Sequence, residues 1–254
     1  MHRSLLPLLR SGDVGSWVRE AGMEGLAALL PLLLPAAASA GGAPQAALLA
    51  QATRALLAVL RQAVERIARM REAAAACLQR LLPSAAAAGV PLAAELSAAV
   101  SGRPLEDFAS LDALPALGAL LAHHPLQEPL LEGLVFSIGG LDNQVATSAG
   151  NALADAATGL EGDAAAVEAL GGALLAVWRR HGGRGGRMAT PLLLTADLLL
   201  SRTPLRDLQP PASTFQEEVG GERGARGWGQ AGGLPAGGRP PPPAWHGAAT
   251  PPCC

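Results

Sequence analysis

Lysine and tyrosine are absent from the 254 residues, and aromatic side chains make up only 3% of them. Strands are built mainly from β-branched and aromatic residues, so a chain this poor in them offers little to a pleated sheet. Cysteine is scarce as well: Cys77 lies in an alanine-rich stretch and Cys253-Cys254 end the sequence. Three such residues give neither a disulfide framework nor a zinc-ligand spacing, which makes a reducing cytosolic setting the default. A terminal Cys pair can carry prenyl groups, but the motifs of a small GTPase are missing upstream. The formal charge of −2 argues against a generally basic nucleic-acid binder. No nucleophile elbow, P-loop or GxGxxG after a strand occurs, so no enzyme, catalytic residue or cofactor is expected.

Long apolar runs are missing too. Leu26 to Ala40 (LAALLPLLLPAAASA) imitates a secretory core and cleavage site. It lies too deep in the chain and follows the charged Asp13, Arg19, Glu20 and Glu24. Two prolines interrupt it, and it falls short of the roughly 20 residues that span a bilayer. The expectation is a buried helix end followed by a loop over 35–46, with no membrane contact.

What the chain has is alanine and leucine, both strong helix formers, within an apolar fraction of 50%. Their spacing repeats. Val18 is followed four, seven and eight residues later by Gly22, Gly25 and Leu26. Met70 is followed at the same offsets by Ala74, Cys77 and Leu78, and Val145 by Ala149, Ala152 and Leu153. Such positions share one stripe of a 3.6-residue helix, and small residues there admit a neighbouring helix closely. Arg19 and Arg71 each follow the apolar anchor, and Asp13 and Asp142 precede two of the stripes. This is the pattern of the second helix of a HEAT repeat, which buries its apolar face by stacking on its neighbours. The fold expected is all-α: a HEAT/armadillo-like solenoid over residues 1–208, then a disordered Pro/Gly-rich tail over 209–254.

Along the solenoid, a short apolar turn over 4–10 precedes a helix from Val14 to Leu30 capped by Asp13. A long helical stretch, Ala47 to Leu82, is expected to turn at Gln62 to Glu65. Residues 83–112 carry Pro91, Gly102 and Pro104 and read as an insertion between repeats. Helices follow over Leu114–Leu121, Pro129–Ile138, Asn143–Ala157 behind Asp142, Ala164–His181 and Thr190–Leu200. The matched stripes stand further apart than one ~40–47-residue repeat, so loops or a degenerate unit lie between them.

Four ordered segments carry a more specific likeness. GDVGSWVREAGM (12–23), VERIARMREAA (64–74), LLEGLVFSIGGL (130–141) and TPLLLTADLLL (190–200) resemble stretches of the tubulin-folding cofactor D family. The likeness covers roughly residues 4 to 205 and corresponds to the C-terminal part of a longer family protein. Gly22 and Gly25 stand where the family has Ala or Ser, and Leu114 to His124 replaces an aromatic-rich segment. The resemblance implies a chaperone that holds β-tubulin during heterodimer assembly, alongside cofactors E and C and an Arf-like small GTPase. With those partners it implies stimulated GTP hydrolysis on tubulin, in the cytoplasm and near microtubules. A generic helical-repeat scaffold binding another protein or a small GTPase is the alternative.

Trp17 and Arg19 are the candidate partner-binding residues. A structural reading stands beside them, with Arg19 bridging to a neighbouring repeat and Trp17 packed between repeats. The family resemblance gives no arginine here a catalytic role. His123-His124 with Glu128 invites a metal, but adjacent helical side chains point apart, so a solvent-facing helix end is expected. GGRGGR (182–187) resembles an RNA-binding element, yet it occurs once, lacks aromatics and fits a loop between two helices. Asp155, Glu161 and Asp163 read as a solvated helix end.

Overall fold

A computed structural model describes residues 15–181 and 188–202. The turn over 4–10, the Asp13 cap, the Gly/Arg loop and the tail lie outside the described residues. Among the described residues there are ten α-helices, one 3-10 turn and no strand. Their stacking is that of an all-α solenoid.

The first helix, α1 (Ser16–Ala40), runs ten residues further than its apolar periodicity suggests, through Pro31 and Pro35. The expected loop over 35–46 is therefore replaced by helix and one sharp break. Each proline removes a backbone hydrogen bond, but the Ala/Leu run around them has high helix propensity. Burial of Leu30 and Leu34 holds the second half of α1 against its neighbours. The chain reverses at Gly41, whose φ of 65° and ψ of 177° are open essentially to glycine alone.

Helix α2 (Gly42–Ala63) and α3 (Ala68–Ala87) are separated at 64–67, two residues beyond the turn expected from sequence. Residues 83–112, expected as an insertion between repeats, are largely helical and packed into the stack. Helix α3 continues through Pro83, and α4 (Ala93–Val100) and α5 (Leu105–Ser110) both pack on it. Phe108 of α5 is among the largest fully buried side chains. The connections are tight enough that Leu92 and Leu111 adopt left-handed backbone, at φ 68° and 81°.

Helix α6 (Leu114–Ala119) runs into the 3-10 turn Leu120–Ala122. Helix α7 (His124–Ile138) begins five residues before Pro129, since Pro125 is tolerated in a first turn. Helix α8 (Asn143–Thr158) is capped as expected: Asp142 Oδ1 accepts from the backbone N–H of Gln144 at 2.9 Å and Val145 at 3.3 Å. Helices α9 (Ala164–His181) and α10 (Ala189–Arg202) complete the stack. Asp163 is more than a solvated end: its Oδ1 accepts from Ala166 N–H at 3.0 Å and caps α9.

Two helices organise the core. α3 packs against α1, α2, α4 and α5, and α7 against α2, α8, α9 and α10. The stripes Met70/Ala74/Cys77/Leu78 and Val145/Ala149/Ala152/Leu153 are buried as read from sequence. In α1 the buried stripe is rotated by one residue, to Arg19, Gly22, Met23, Leu26, Leu30 and Leu34, leaving Val18 outside. Small residues set the close approaches. A Cβ added at Gly133 of α7 would lie 2.5 Å from the Arg61 carbonyl oxygen, and one at Gly118 2.9 Å from that of Ala152. By length and composition α2 could cross a membrane. Here its Ala52, Ala55, Leu56, Val59 and Leu60 are buried in a stack with α1, α3 and α7.

Candidate functional site

The turn at 64–67 is gripped from three directions. From α1, Arg19 Nη1 donates to Gln62 Oε1 at 2.7 Å and pairs with the Glu65 carboxylate. From α3, Arg71 is 2% exposed and spreads its guanidinium over three carbonyls. Its Nη1 donates to Glu65 O at 2.8 Å, Nε to Phe108 O at 2.6 Å, and Nη2 to Ala109 O. From α7, Ser137 Oγ donates to Val64 O at 2.7 Å. Burial lowers the Arg71 pKa, opposed by the charges of Glu65, Glu72 and Asp142. The two arginines that follow the apolar anchors thus converge on Glu65.

Trp17 and Arg19, neighbours in sequence, separate on the helix. Arg19 points inward and is 9% exposed, with its charge occupied by Glu65 and Gln62. Trp17 points outward and is 74% exposed. It does not pack between repeats. The Arg69 guanidinium carbon sits 4.3 Å from the centre of its ring. Arg69 is itself held by Ser16 Oγ at 2.9 Å and Glu20 at 3.3 Å. The indole is therefore braced on one side and open on the other.

A second charged cluster went unread in the sequence. Glu132, near the middle of α7, meets Arg61 of α2 at 2.5 Å and, from α9, Arg180 at 3.1 Å and His181 Nε2 at 3.2 Å. Arg180 also pairs with Glu128. Burial alone would raise the Glu132 pKa. The His181 hydrogen bond and the charges of Arg61, His181 and Arg180 overcome it and bring the carboxyl down to about 2. The one available signal was the cationic end of α9, Arg179-Arg180-His181, which complements a helix dipole wherever it stands.

His123 and His124 are exposed at the start of α7, while Glu128 is taken by Arg180. Among the described residues no group of three or more His, Cys, Asp or Glu gathers as metal ligands. The Cys77 thiol donates to Met23 O at 3.2 Å and is pushed up to about 12 by burial. A thiol so far from ionisation is a packing residue rather than a nucleophile.

Helices that bury polar side chains to lock one another define a helical-repeat scaffold. A protein-family model described as tubulin folding cofactor D C terminal matches residues 53–219. The chain belongs to that family. The match begins inside α2, so Trp17 and Arg19 lie ahead of it. No solved structure matches the chain.

Proposed function

We propose that this chain is a chaperone component of tubulin heterodimer assembly, working as a docking surface rather than as a catalyst. The family match over residues 53–219 carries the reading. The stacked helices support it, because a curved array of helix pairs offers an extended face to a folded partner. In this reading the chain engages β-tubulin together with cofactors E and C and an Arf-like small GTPase. GTP hydrolysis stimulated by the complete assembly takes place on tubulin, and the chain works in the cytoplasm beside microtubules. Trp17, braced and exposed, is the contact residue we assign to a partner; Arg19 serves by holding α1 to the turn at 64–67. The working unit is residues 1–208, with 209–254 as an appended tail.

The test is capture of purified tubulin and of purified cofactor E by the full chain, with circular dichroism on the same sample. Retention of either partner by helical protein supports the reading. Helical protein that retains neither overturns it for this chain.

A further inference from the structure

The family match does not stop with the helices: it runs beyond the end of α10 at Arg202 as far as residue 219. The sequence keeps a pattern over that stretch. Its apolar side chains, prolines apart, are Leu205, Leu208, Ala212, Phe215 and Val219. They recur in steps of three and four, the seam of one helix face. Every other position from Thr203 to Glu218 is polar or proline. Gly220-Gly221 follow directly, as they do past a helix end.

Helix α10 carries a matching seam. Ala189, Leu193, Ala196 and Leu200 fall on one stripe, in steps of four, three and four. The polar Thr190, Asp197 and Ser201 lie to one side of it. α10 packs on α7, α8 and α9, yet Leu193 is still 37% exposed, and Ala189 and Leu200 are half-buried. The two seams are mirror images about Pro204. Leu208 comes opposite Leu200, Ala212 opposite Ala196, Phe215 opposite Leu193 and Val219 opposite Ala189. The match thus ends where a returning segment has run the length of α10.

We infer that residues 205–219 fold back antiparallel on α10 and form the C-terminal cap of the helix stack. Thr203-Pro204 supplies the reversal, since a proline just past a helix end turns the chain out of it. A terminal repeat needs a polar outer face, and Arg206, Ser213 and Glu217 fall on the side away from the seam. α1 continues through Pro31 and Pro35, and α3 through Pro83, so Pro210-Pro211 do not bar the return. The cap carries the working unit past 208 to Val219.

Hydrogen–deuterium exchange of the full chain, read by mass spectrometry, tests the cap. Amides of 212–219 should exchange about tenfold or more slower than those of 222–238 in the same molecule. Phe215→Asp should abolish that protection, and Leu193→Asp should abolish it from the α10 side. Leu194→Asp, exposed on α10 but off the seam, should leave it in place. Phe215 lies beyond the ten helices, so its variant reports on the cap even where Leu193→Asp disturbs α10. Equally fast exchange over 205–219 and 222–238 overturns the inference, as does protection that survives Phe215→Asp. Protection lost on dilution also overturns it, because a contact within one chain is independent of concentration.

Discussion

Arg71 reaches from α3 to the carbonyl of Phe108 at 2.6 Å, joining α5 to the long helix it packs on. The same guanidinium also serves Glu65 O and Ala109 O, so one side chain satisfies acceptors on both sides of α3. Arg71→Ala strands those carbonyls in the interior, and Arg71→Lys supplies a charge but not the planar fork. The alanine variant should lose on the order of 3–5 kcal/mol, since each buried carbonyl left unpaired costs about 1–3 kcal/mol, and the lysine variant a large part of that. Urea unfolding with an unchanged slope checks both.

Glu132 makes stability depend on acid. Its folded pKa of about 2 lies below the ordinary 4.5, because His181, Arg61 and Arg180 outweigh the cost of burial. A carboxyl depressed in the folded state contributes stability that is complete above the unfolded value. That contribution, about 3 kcal/mol from the linkage relation, is lost as pH falls from about 5 towards 2. Glu132→Gln removes it at every pH. The gap between parent and variant, measured by urea midpoint, should be widest near neutrality and should narrow steadily through that acid window. A gap independent of pH would show that the carboxylate is not held by its charges.

Two glycines should respond to alanine in opposite directions. At Gly133 the new methyl group meets the backbone oxygen of Arg61 at 2.5 Å and the side chain of Val64. Backbone cannot swing aside, so α2 and α7 must separate, at a cost of about 1–3 kcal/mol. At Gly172 in α9 an added Cβ meets nothing within 4 Å. Relief of glycine's conformational freedom in a helix should then raise stability by about 0.5–1 kcal/mol. Thermal unfolding of the two variants beside the parent distinguishes the outcomes.

The physical origin of each feature decides how visible it was in the sequence. Stripes on α3 and α8 were legible because burial there follows the 3.6-residue period, and Asp142 was legible because a cap is local. Helix α1 misled in two ways. Its prolines suggested an end that Ala/Leu propensity and the burial of Leu30 and Leu34 override. Its apolar residues surround the helix almost completely, so the period could not say whether Val18 or Arg19 faced inward. The short helices α4 and α5 carry too few turns for a period, and only their packing on α3 defines them. Glu132 was invisible because its partners come from α2 and α9, and no spacing along the chain records that meeting.

Trp17 and Arg19 provide the sharpest separation of stability from recognition, since they are two residues apart and face opposite ways. Arg19→Ala leaves Glu65 and Gln62 without their shared donor in a site that is largely dry. It should cost a few kcal/mol, as for a buried pair deprived of one member. Trp17→Ala removes a side chain already 74% exposed and a cation–π contact to Arg69 worth about 0.5–1 kcal/mol at an exposed site, so the fold should barely register it. If the indole is the partner contact, the same change should weaken capture of tubulin or cofactor E by roughly tenfold or more, as for an aromatic anchor. Arg19→Lys keeps a charge near Glu65 and should bind as the parent does wherever it stays folded. A Trp17→Ala protein with unaltered unfolding and unaltered capture would remove Trp17 from the binding surface.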